Sequence, residues 1–303
     1  MQRATFTLIV AVFIAVLSPS EALAWGPGVH LALGNALLNT PQLLPDAIGG
    51  FLPLYRFSYL YGMLSPDIFI GKGCKYTPKH SHNWAMGQEM MRCSDSLHMK
   101  AFSLGYLSHL AADTIAHNYY VPNMLSLAPT RGKFSHVYVE MQADSLVDWC
   151  GFDARSLMEM RHRTADSTLQ ETLAKKGFSF RMKKNVFSRS MGLSGNVQVQ
   201  RSLHVASRAV KGFVNTAYFE DMFELSLRMI RGVMHDMESH PALNLDPIGS
   251  TNLEVVKRMP ALRRKLCRVL PCGSAFPLAA EVAALQKSTF DEVRFEQPAP
   301  ISL

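Results

Sequence analysis

The sequence predicts an all-α protein, a compact domain built from many helices. Apolar residues recur at helical spacing in many segments, alternating Val/Ile/Thr runs typical of strands are few, and no Asn-Gly hairpin turn occurs. With 48% hydrophobic and 18% charged residues, the 303-residue chain is globular and long enough for one large core or for a core with a small appendage. The formal net charge of +7 favours anionic partners such as phospholipid or nucleic acid, but it fits a merely soluble basic protein equally well.

The first 24 residues have the pattern of a cleaved signal peptide. Arg3 is followed by a nearly apolar stretch, residues 4–17, and Ala22-Leu23-Ala24 supplies a small-x-small cleavage site. The apolar run is shorter than the roughly 20 residues that a membrane span requires. We therefore expect a secreted or periplasmic protein whose mature chain has no transmembrane segment and begins at Trp25.

Export would place the protein in an oxidising compartment, where disulfides are permitted. The chain has five cysteines, an odd number, so not all of them can pair within it. Cys267 could pair with Cys272, and Cys74 with Cys93, but both pairings stay open. No CxxC motif is present, so a thiolate zinc site is not expected.

Proline, glycine and capping residues divide the mature chain into helices. Ser135 is the expected N-cap of the helix that starts at His136. The predicted helices are His30–Leu38, Asn83–Met91, Ser96 to just before Pro122, His136–Trp149, Ser202–Met237 as one or two helices, and a basic amphipathic helix over Leu253–Val269. We expect one helical domain over residues 25–240, followed by a basic C-terminal extension, residues 241–303, of unassigned role.

The longest predicted helix carries His109, Asp113 and His117, four residues apart on one stripe. The two histidines are about 12 Å apart along the axis, too far for a single metal with bonds near ~2 Å. The spacing therefore predicts more than one metal, with Asp113 between them. The alternative is a pair of structural histidines flanking a capping or salt-bridged Asp, but a carboxylate among Leu, Ala and Ile is costly without a cation.

Other candidate ligands lie on both sides of this helix. His136 and Glu140 repeat the four-residue spacing, although such a pair also occurs on solvated helix faces. Upstream, Asp67 follows a proline turn, and His80 and His82 flank Ser81. In isolation either histidine is more often a surface residue than a ligand.

The expected mature N-terminus adds an unusual ligand. A free α-amino group has a pKa of about 7.7–8.0, so a metal can displace its proton near neutrality. The Trp25 amine and carbonyl oxygen together form a five-membered chelate ring. Gly26 and Gly28 let the chain turn His30 back towards it.

These residues resemble the zinc-dependent phospholipase C family, a relative of the single-strand-specific zinc nucleases, over about residues 25–148. In that family the first mature residue is a Trp that binds zinc through its amine and carbonyl, and a His follows. The family's remaining ligands are an Asp-then-His pair, an HxxxD motif, a further His and a closing HxxxE motif. In this chain the full set falls on Trp25, His30, Asp67, His82 (with His80 as its rival), His109, Asp113, His117, His136 and Glu140.

The resemblance implies three zinc ions. One would take Trp25, His30 and Asp113, the second Asp67, His82, His109 and Asp113, and the third His117, His136 and Glu140. Three residues separate Asp113 from His117, where the better-known secreted phospholipases have five. This spacing is more similar to the branch that includes glycosylphosphatidylinositol-specific phospholipase D.

The implied activity is phosphodiester hydrolysis, with phospholipid as the expected substrate. Our candidate for the catalytic residue that orients or deprotonates the attacking water is Asp67, which would also bind zinc. Diacylglycerol and a phosphorylated head group would be the products. The alternatives are a phospholipase D of the glycosylphosphatidylinositol type, a single-strand nuclease with the same zinc cluster, or a non-catalytic helical zinc protein. Residues Tyr119–Leu125 either contact a membrane surface peripherally or form a packed loop. The exact substrate and the oligomeric state stay open.

Overall fold

A computed structural model describes residues 25–69, 79–127, 133–173, 177–194 and 215–286. The described residues form helices and turns without a β-strand, which confirms the all-α prediction. The expected signal peptide, residues 1–24, lies outside them. The helices are α1 (Pro27–Asn39), α2 (Asp46–Gly49), α3 (Arg56–Leu64), α4 (Trp84–Arg92), α5 (Leu97–Ile115), α6 (Val121–Leu127), α7 (Lys133–Asp144), α8 (Gly151–Glu159), α9 (Arg163–Thr172), α10 (Gly177–Ser194), α11 (Thr216–His235), α12 (Ser250–Arg258), α13 (Ala261–Cys267) and α14 (Ala280–Gln286), with short 3₁₀ turns at Pro41–Leu43, Leu52–Tyr55, Ser65–Phe69 and Pro241–Asn244.

Helix α5 forms the centre of the domain. Its sequence is apolar on all sides, and every residue from Ala101 to Ile115 is buried, as expected for a helix surrounded by others. The Ser96 side chain caps its N-terminus by accepting a hydrogen bond from the Met99 N–H at 3.3 Å. Helices α3, α4 and α11 pack around it, so polar groups on α5 are shielded from bulk water.

Helices α3 and α5 touch through their backbones. A Cβ atom added to Gly62 would overlap the carbonyl oxygen of Phe102, and one added to Gly105 would overlap that of Tyr59. Only glycine permits so close an approach at these two positions. The contact brings the end of α3, which leads into the 3₁₀ turn containing Asp67, next to the middle of α5.

The helix that was predicted to end before Pro122 does not end there. After Ile115 it makes one π-helical turn, Ala116–Tyr120, and continues directly into α6. Pro122 lies in the first turn of α6, where its missing N–H and fixed φ are tolerated. Residues Tyr119–Leu125 are buried, so the structure supports the packed alternative for this segment and not a lipid-facing surface.

Two other predicted helices have different bounds in the structure. Helix α7 begins at Lys133, so Ser135 lies within it and is not its N-cap, and it ends at Asp144. The predicted basic helix over Leu253–Val269 is divided between α12 and α13. Met259 adopts an extended conformation, with ψ of 126°, because the following Pro260 disfavours helical geometry at the preceding residue.

Residues beyond 240 pack against the π-helical turn. The Asn118 side-chain amide donates a hydrogen bond to the Asp246 carbonyl, and the Asn252 amide donates one to the Asn118 carbonyl, both at 2.8 Å. The Asn123 amide also donates to the Phe276 carbonyl at 2.9 Å. The C-terminal segment thus supports the part of the chain that carries His117.

Cys93, Cys150, Cys267 and Cys272 are free thiols, so the bridge considered between Cys267 and Cys272 is not formed. Cys74, the other cysteine considered for Cys93, lies outside the described residues. Among the helices that the structure describes, none combines the length and the apolar character that crossing a bilayer requires.

Candidate metal centre

Five predicted ligands converge in the interior of the domain. His30 comes from the first turn of α1, Asp67 from the 3₁₀ turn after α3, His82 from the loop before α4, and His109 and Asp113 from α5. Each of the five is at most 2% exposed. Four separate elements therefore bring imidazoles and carboxylates together in a space that is closed to bulk solvent.

The tautomer of His109 is fixed by its position. Its Nδ1 lies 2.7 Å from the Met63 carbonyl oxygen, which can only accept, so Nδ1 carries the proton and Nε2 is left with a lone pair. That Nε2 lies 3.0 Å from the Nε2 of His82. Backbone hydrogen bonding of this kind orients metal-binding histidines.

The carboxylates of Asp67 and Asp113 are surrounded by imidazole nitrogens. His82 Nε2 lies 3.2 Å from an oxygen of each, and His109 Nε2 lies 3.2 Å from Asp113 Oδ2 and 3.7 Å from Asp67 Oδ1. Two ligand atoms at tetrahedral angles around zinc, each about 2.0–2.1 Å from it, are about 3.3 Å apart. The three separations of 3.2 Å match that spacing, and the fourth is longer by about 0.4 Å.

No hydrogen bond of normal geometry reaches either carboxylate from the part of the chain that the structure describes, and the ring nitrogens of His30 likewise have none. Buried carboxylate oxygens without a donor are costly, and native proteins rarely leave them so. Lone pairs that face one another at these distances fit a shared cation. This donor set fits zinc, which takes His nitrogen and Asp oxygen ligands.

Asp113 divides the cluster into two overlapping ligand sets. Its Oδ1 lies 3.2 Å from His30 Nε2, whereas its Oδ2 faces His82 and His109. The ligand atoms of His30, His109 and Asp113 lie within 4.8 Å of one another, and so do those of Asp67, His82 and His109. The two oxygens of one carboxylate therefore point to two adjacent positions.

The alternatives His80 and His82 are distinguished by a short turn. His80 Nδ1 accepts a hydrogen bond from the His82 N–H at 3.0 Å, so the His80 ring binds the backbone of this turn. The His82 ring faces Asp67 and Asp113. Burial by itself lowers the pKa of His82, but without a cation its contacts with the two carboxylates raise it to about 9, and a metal bound at Nε2 would take the place of that proton.

Trp25 is anchored by its side chain at the start of α1. Its indole N–H donates to Ser226 Oγ at 3.2 Å, and its ring packs against Tyr120 and Phe219 at centroid distances of 4.6 and 5.7 Å. The His30 N–H donates to the Gly26 carbonyl at 3.2 Å, which places the Trp25 backbone about one turn before His30.

The third predicted set is partly described. His117 lies in the π-helical turn, fully buried, with Nε2 3.8 Å from Asp113 Oδ2. Glu140, on α7, is 4% exposed, and its pKa is raised well above the usual range by burial and by the negative charges of Asp67, Asp144 and Asp113. His136 lies near the start of α7, but its side chain is outside the described part.

Asp144 was not among the residues predicted from the sequence. It lies one turn beyond Glu140 on α7, and its Oδ1 accepts a hydrogen bond from the Val29 N–H at 2.9 Å. Burial raises its pKa to about 7, and the nearby charge of Asp67 adds to this effect. The four-residue spacing from His136 through Glu140 to Asp144 was the signal that could have identified it.

A family model for zinc-dependent phospholipase C matches residues 29–189, more than half of the chain. The matched region contains the cluster from His30 to Asp144, together with the helices that position it. A search found no significant match among curated proteins or solved structures. On the strength of the family match, the chain belongs to the zinc-dependent phospholipase C family.

Proposed function

We propose that this protein is a secreted phospholipase C that hydrolyses the head-group phosphodiester of phospholipids at a site of three zinc ions. The observation that carries the proposal is the orientation of the Asp113 carboxylate. Its Oδ1 faces His30, whereas its Oδ2 faces His82 and His109. A carboxylate used in this way supports two neighbouring cations. The family match supports the reaction class.

Each zinc has a proposed ligand set. The first would be held by the Trp25 amine and carbonyl, His30 and Asp113 Oδ1. The second would be held by Asp67, His82, His109 and Asp113 Oδ2, and the third by His117, His136 and Glu140. The burial of Trp25 against Ser226, Tyr120 and Phe219 supports the first set, because it anchors the residue that signal-peptide removal would make N-terminal.

When bound, zinc stabilises the charge that develops on the phosphodiester oxygens and lowers the pKa of the attacking water. Asp67 is the proposed catalytic residue. Its carboxylate lies in the cluster without a hydrogen-bond donor among the described residues, so one of its oxygens can accept a proton from the attacking water. His109 is kept in one tautomer by Met63, which leaves its Nε2 unprotonated for metal binding.

A second candidate is a phospholipase D of the glycosylphosphatidylinositol type. The observation that favours it is the three-residue separation of Asp113 and His117, which keeps the two side chains within 3.8 Å. A single-strand nuclease or a non-catalytic zinc protein would use the same ligands. Structural zinc sites, however, usually hold one ion with four protein ligands, whereas the two oxygens of Asp113 point to two adjacent positions.

The experiment compares substrates and zinc content in the mature protein. We expect hydrolysis of a choline-phosphate ester to exceed that of glycosylphosphatidylinositol and single-stranded DNA. Asp67→Asn should lose activity with zinc retained, whereas the matched change Asp95→Asn, at an exposed position, should not. Unchanged turnover in Asp67→Asn would exclude its catalytic role, and preferred cleavage of DNA would reject the phospholipase assignment.

The role of Trp25 is tested separately. N-terminal sequencing of the exported protein should begin at Trp25, and a form with one extra residue before it should contain one zinc fewer. Equal zinc content in the two forms would rule out the terminal amine as a ligand.

A further inference from the structure

The outer face of α10 carries a stripe of exposed apolar side chains. Phe178, Met182 and Val186 are 83%, 54% and 58% exposed. Their four-residue spacing places them on one side of the helix, over a length of about 12 Å. We call these three residues the α10 stripe. Exposure of three large apolar side chains in a row is unfavourable in water and indicates a surface that contacts a binding partner.

The orientation of α10 is fixed from its inner side. Phe180 and Phe187 are buried there, and the Lys184 ammonium pairs with the Asp166 carboxylate of α9 at 2.9 Å. Because these contacts face the domain, the α10 stripe faces away from it. The helix is therefore apolar on two opposite sides, whereas a helix at the surface of a soluble domain normally has one apolar face.

Exposed basic residues lie on the same helix as the α10 stripe. Arg181 and Arg189 are exposed on the same helix. Residues 172–219 contain nine Lys or Arg and no Asp or Glu, so this stretch carries more positive charge than the +7 of the whole chain. Apolar side chains between arginines are typical of helices that lie in the interface of an anionic membrane.

Helix α10 packs against the turn that carries Asp67. On the inner side of α10 the Phe180 ring packs against Phe69 at a centroid distance of 5.6 Å. Phe69 ends the 3₁₀ turn that contains Asp67. A surface bound to the stripe would thus lie about one helix diameter, some 10 Å, from this turn.

We propose that the α10 stripe, with Arg181 and Arg189, docks the protein on anionic phospholipid membranes. Nucleic acid would engage the arginines but would leave Phe178, Met182 and Val186 exposed, so the apolar stripe favours lipid. The proposal rests on the proposed function in one respect, since a phospholipase must reach lipid in a membrane. Docking itself requires neither zinc nor turnover.

The test measures co-sedimentation of the mature protein with vesicles of phosphatidylcholine, with and without phosphatidylglycerol. We expect binding only to the anionic vesicles. The triple variant Phe178→Ser, Met182→Ser and Val186→Ser should reduce partitioning about tenfold or more, because it removes the inserted apolar area. The double variant Arg181→Gln and Arg189→Gln should weaken binding and make it less sensitive to salt.

Two controls use other exposed apolar residues. Leu54, 80% exposed on a separate 3₁₀ turn, is changed to Ser and should bind as the wild type does. Leu262 and Leu266, 80% and 57% exposed on the basic helix α13, are changed to Ser together. Loss of vesicle binding in that double variant but not in the α10 triple variant would overturn the proposal.

Binding of the wild type to single-stranded DNA but not to vesicles, or a dimer that the triple variant dissociates, would also overturn it. Activity is measured in parallel on a soluble short-chain phosphodiester. The triple variant should retain this hydrolysis while losing hydrolysis of vesicle lipid. If the wild type hydrolyses no phosphodiester, the proposed function fails, yet the vesicle assay still decides whether the α10 stripe docks.

Discussion

The Asp144 carboxylate occupies the space that a side chain at Gly26 would need, and it caps the start of α1 by accepting the Val29 N–H at 2.9 Å. Helix α1 has no capping side chain of its own at Gly26, so the cap comes from α7. A carboxylate at a helix N-terminus also interacts favourably with the helix dipole. This contact joins the helix of Glu140 to the helix of His30 at the expected mature N-terminus.

Gly26→Ala should therefore reduce zinc content and activity together. The added Cβ would overlap the Asp144 carboxylate, which would have to turn away and give up the Val29 N–H, or else push the chain start and α7 apart. We expect about one zinc to be lost, with an activity loss of about tenfold or more, since small displacements of catalytic groups have large effects. Metal analysis and the phosphodiester assay measure both.

Asp144→Asn is the matched variant for this prediction. Its amide oxygen can still accept the Val29 N–H, so the cap remains while the charge is removed. If Gly26→Ala keeps its full zinc content and rate, the contact between Asp144 and the chain start has no role in forming the site.

Regular features of the fold could be predicted from sequence, because helical periodicity is a local property. The apolar surroundings of His109 and Asp113 correctly indicated a buried helix in the centre of the domain. The helix end at Pro122 was wrong because a proline stops a helix only where its N–H is needed, and a π-helical turn precedes it here. Sequence spacing gives no sign of that turn.

Site residues that lie on the same helix could be predicted together from the sequence. The four-residue spacing on α5 indicated that His109 and Asp113 act together. The choice between His80 and His82 depends on how one loop turns against Asp67, and the role of Asp144 depends on packing between α1 and α7. These relationships join residues far apart in sequence and became visible only in the folded chain.

Gly62→Ala and Gly105→Ala should each destabilise the protein and impair activity. Either Cβ would overlap a backbone carbonyl of the facing helix, which cannot rotate away as a side chain does. We expect a loss of about 3 kcal/mol in the free energy of unfolding, at the upper end of the usual cost of overpacking. Separation of α3 from α5 would also move Asp67 away from His109. Denaturant unfolding and zinc content test the two effects.

Gly192→Ala is the control for these variants. Its Cβ would lie 3.4 Å from the flexible side chain of Arg155, which can give way. Equal stability of the Gly62, Gly105 and Gly192 variants would show that α3 and α5 do not need their close approach.

Removal of zinc should lower the melting temperature markedly. Without a cation, the carboxylates of Asp67, Asp113 and Glu140 remain buried close together, and their repulsion and lost hydration oppose folding. A ligand present at about 1,000 times its dissociation constant stabilises a fold by about 4 kcal/mol, which chelation would remove. Calorimetry with and without a chelator measures the change.

Asp113→Asn is informative in the same experiment. The substitution removes one buried charge and the carboxylate that faces both ligand sets, so chelation should cost this variant less than it costs the wild type. A melting temperature that does not respond to chelation in the wild type would contradict a zinc cluster at these residues.

His162 should make stability depend on pH between about 4 and 6.5. Its ring is buried, stacks on Tyr61 at a centroid distance of 3.8 Å, and donates from Nε2 to the Leu157 carbonyl at 2.9 Å. Burial, with a smaller effect of the Lys184 charge, lowers its pKa to about 4. The folded state keeps His162 neutral while the unfolded chain, with a pKa of about 6.5, takes up a proton as the pH falls.

The free energy of unfolding should thus decrease as the pH falls from about 6.5 to about 4, by up to about 3 kcal/mol from this group, and level off below. His162→Phe keeps the stacking on Tyr61 but cannot be protonated. The variant should be less stable at pH 8, where the Leu157 carbonyl loses its donor, and the difference between the two proteins should shrink as the pH is lowered. Taking this difference cancels titrations common to both proteins, including those of the metal ligands. A difference that stays constant from pH 8 to pH 4 would mean that His162 is protonated equally in the folded and unfolded states.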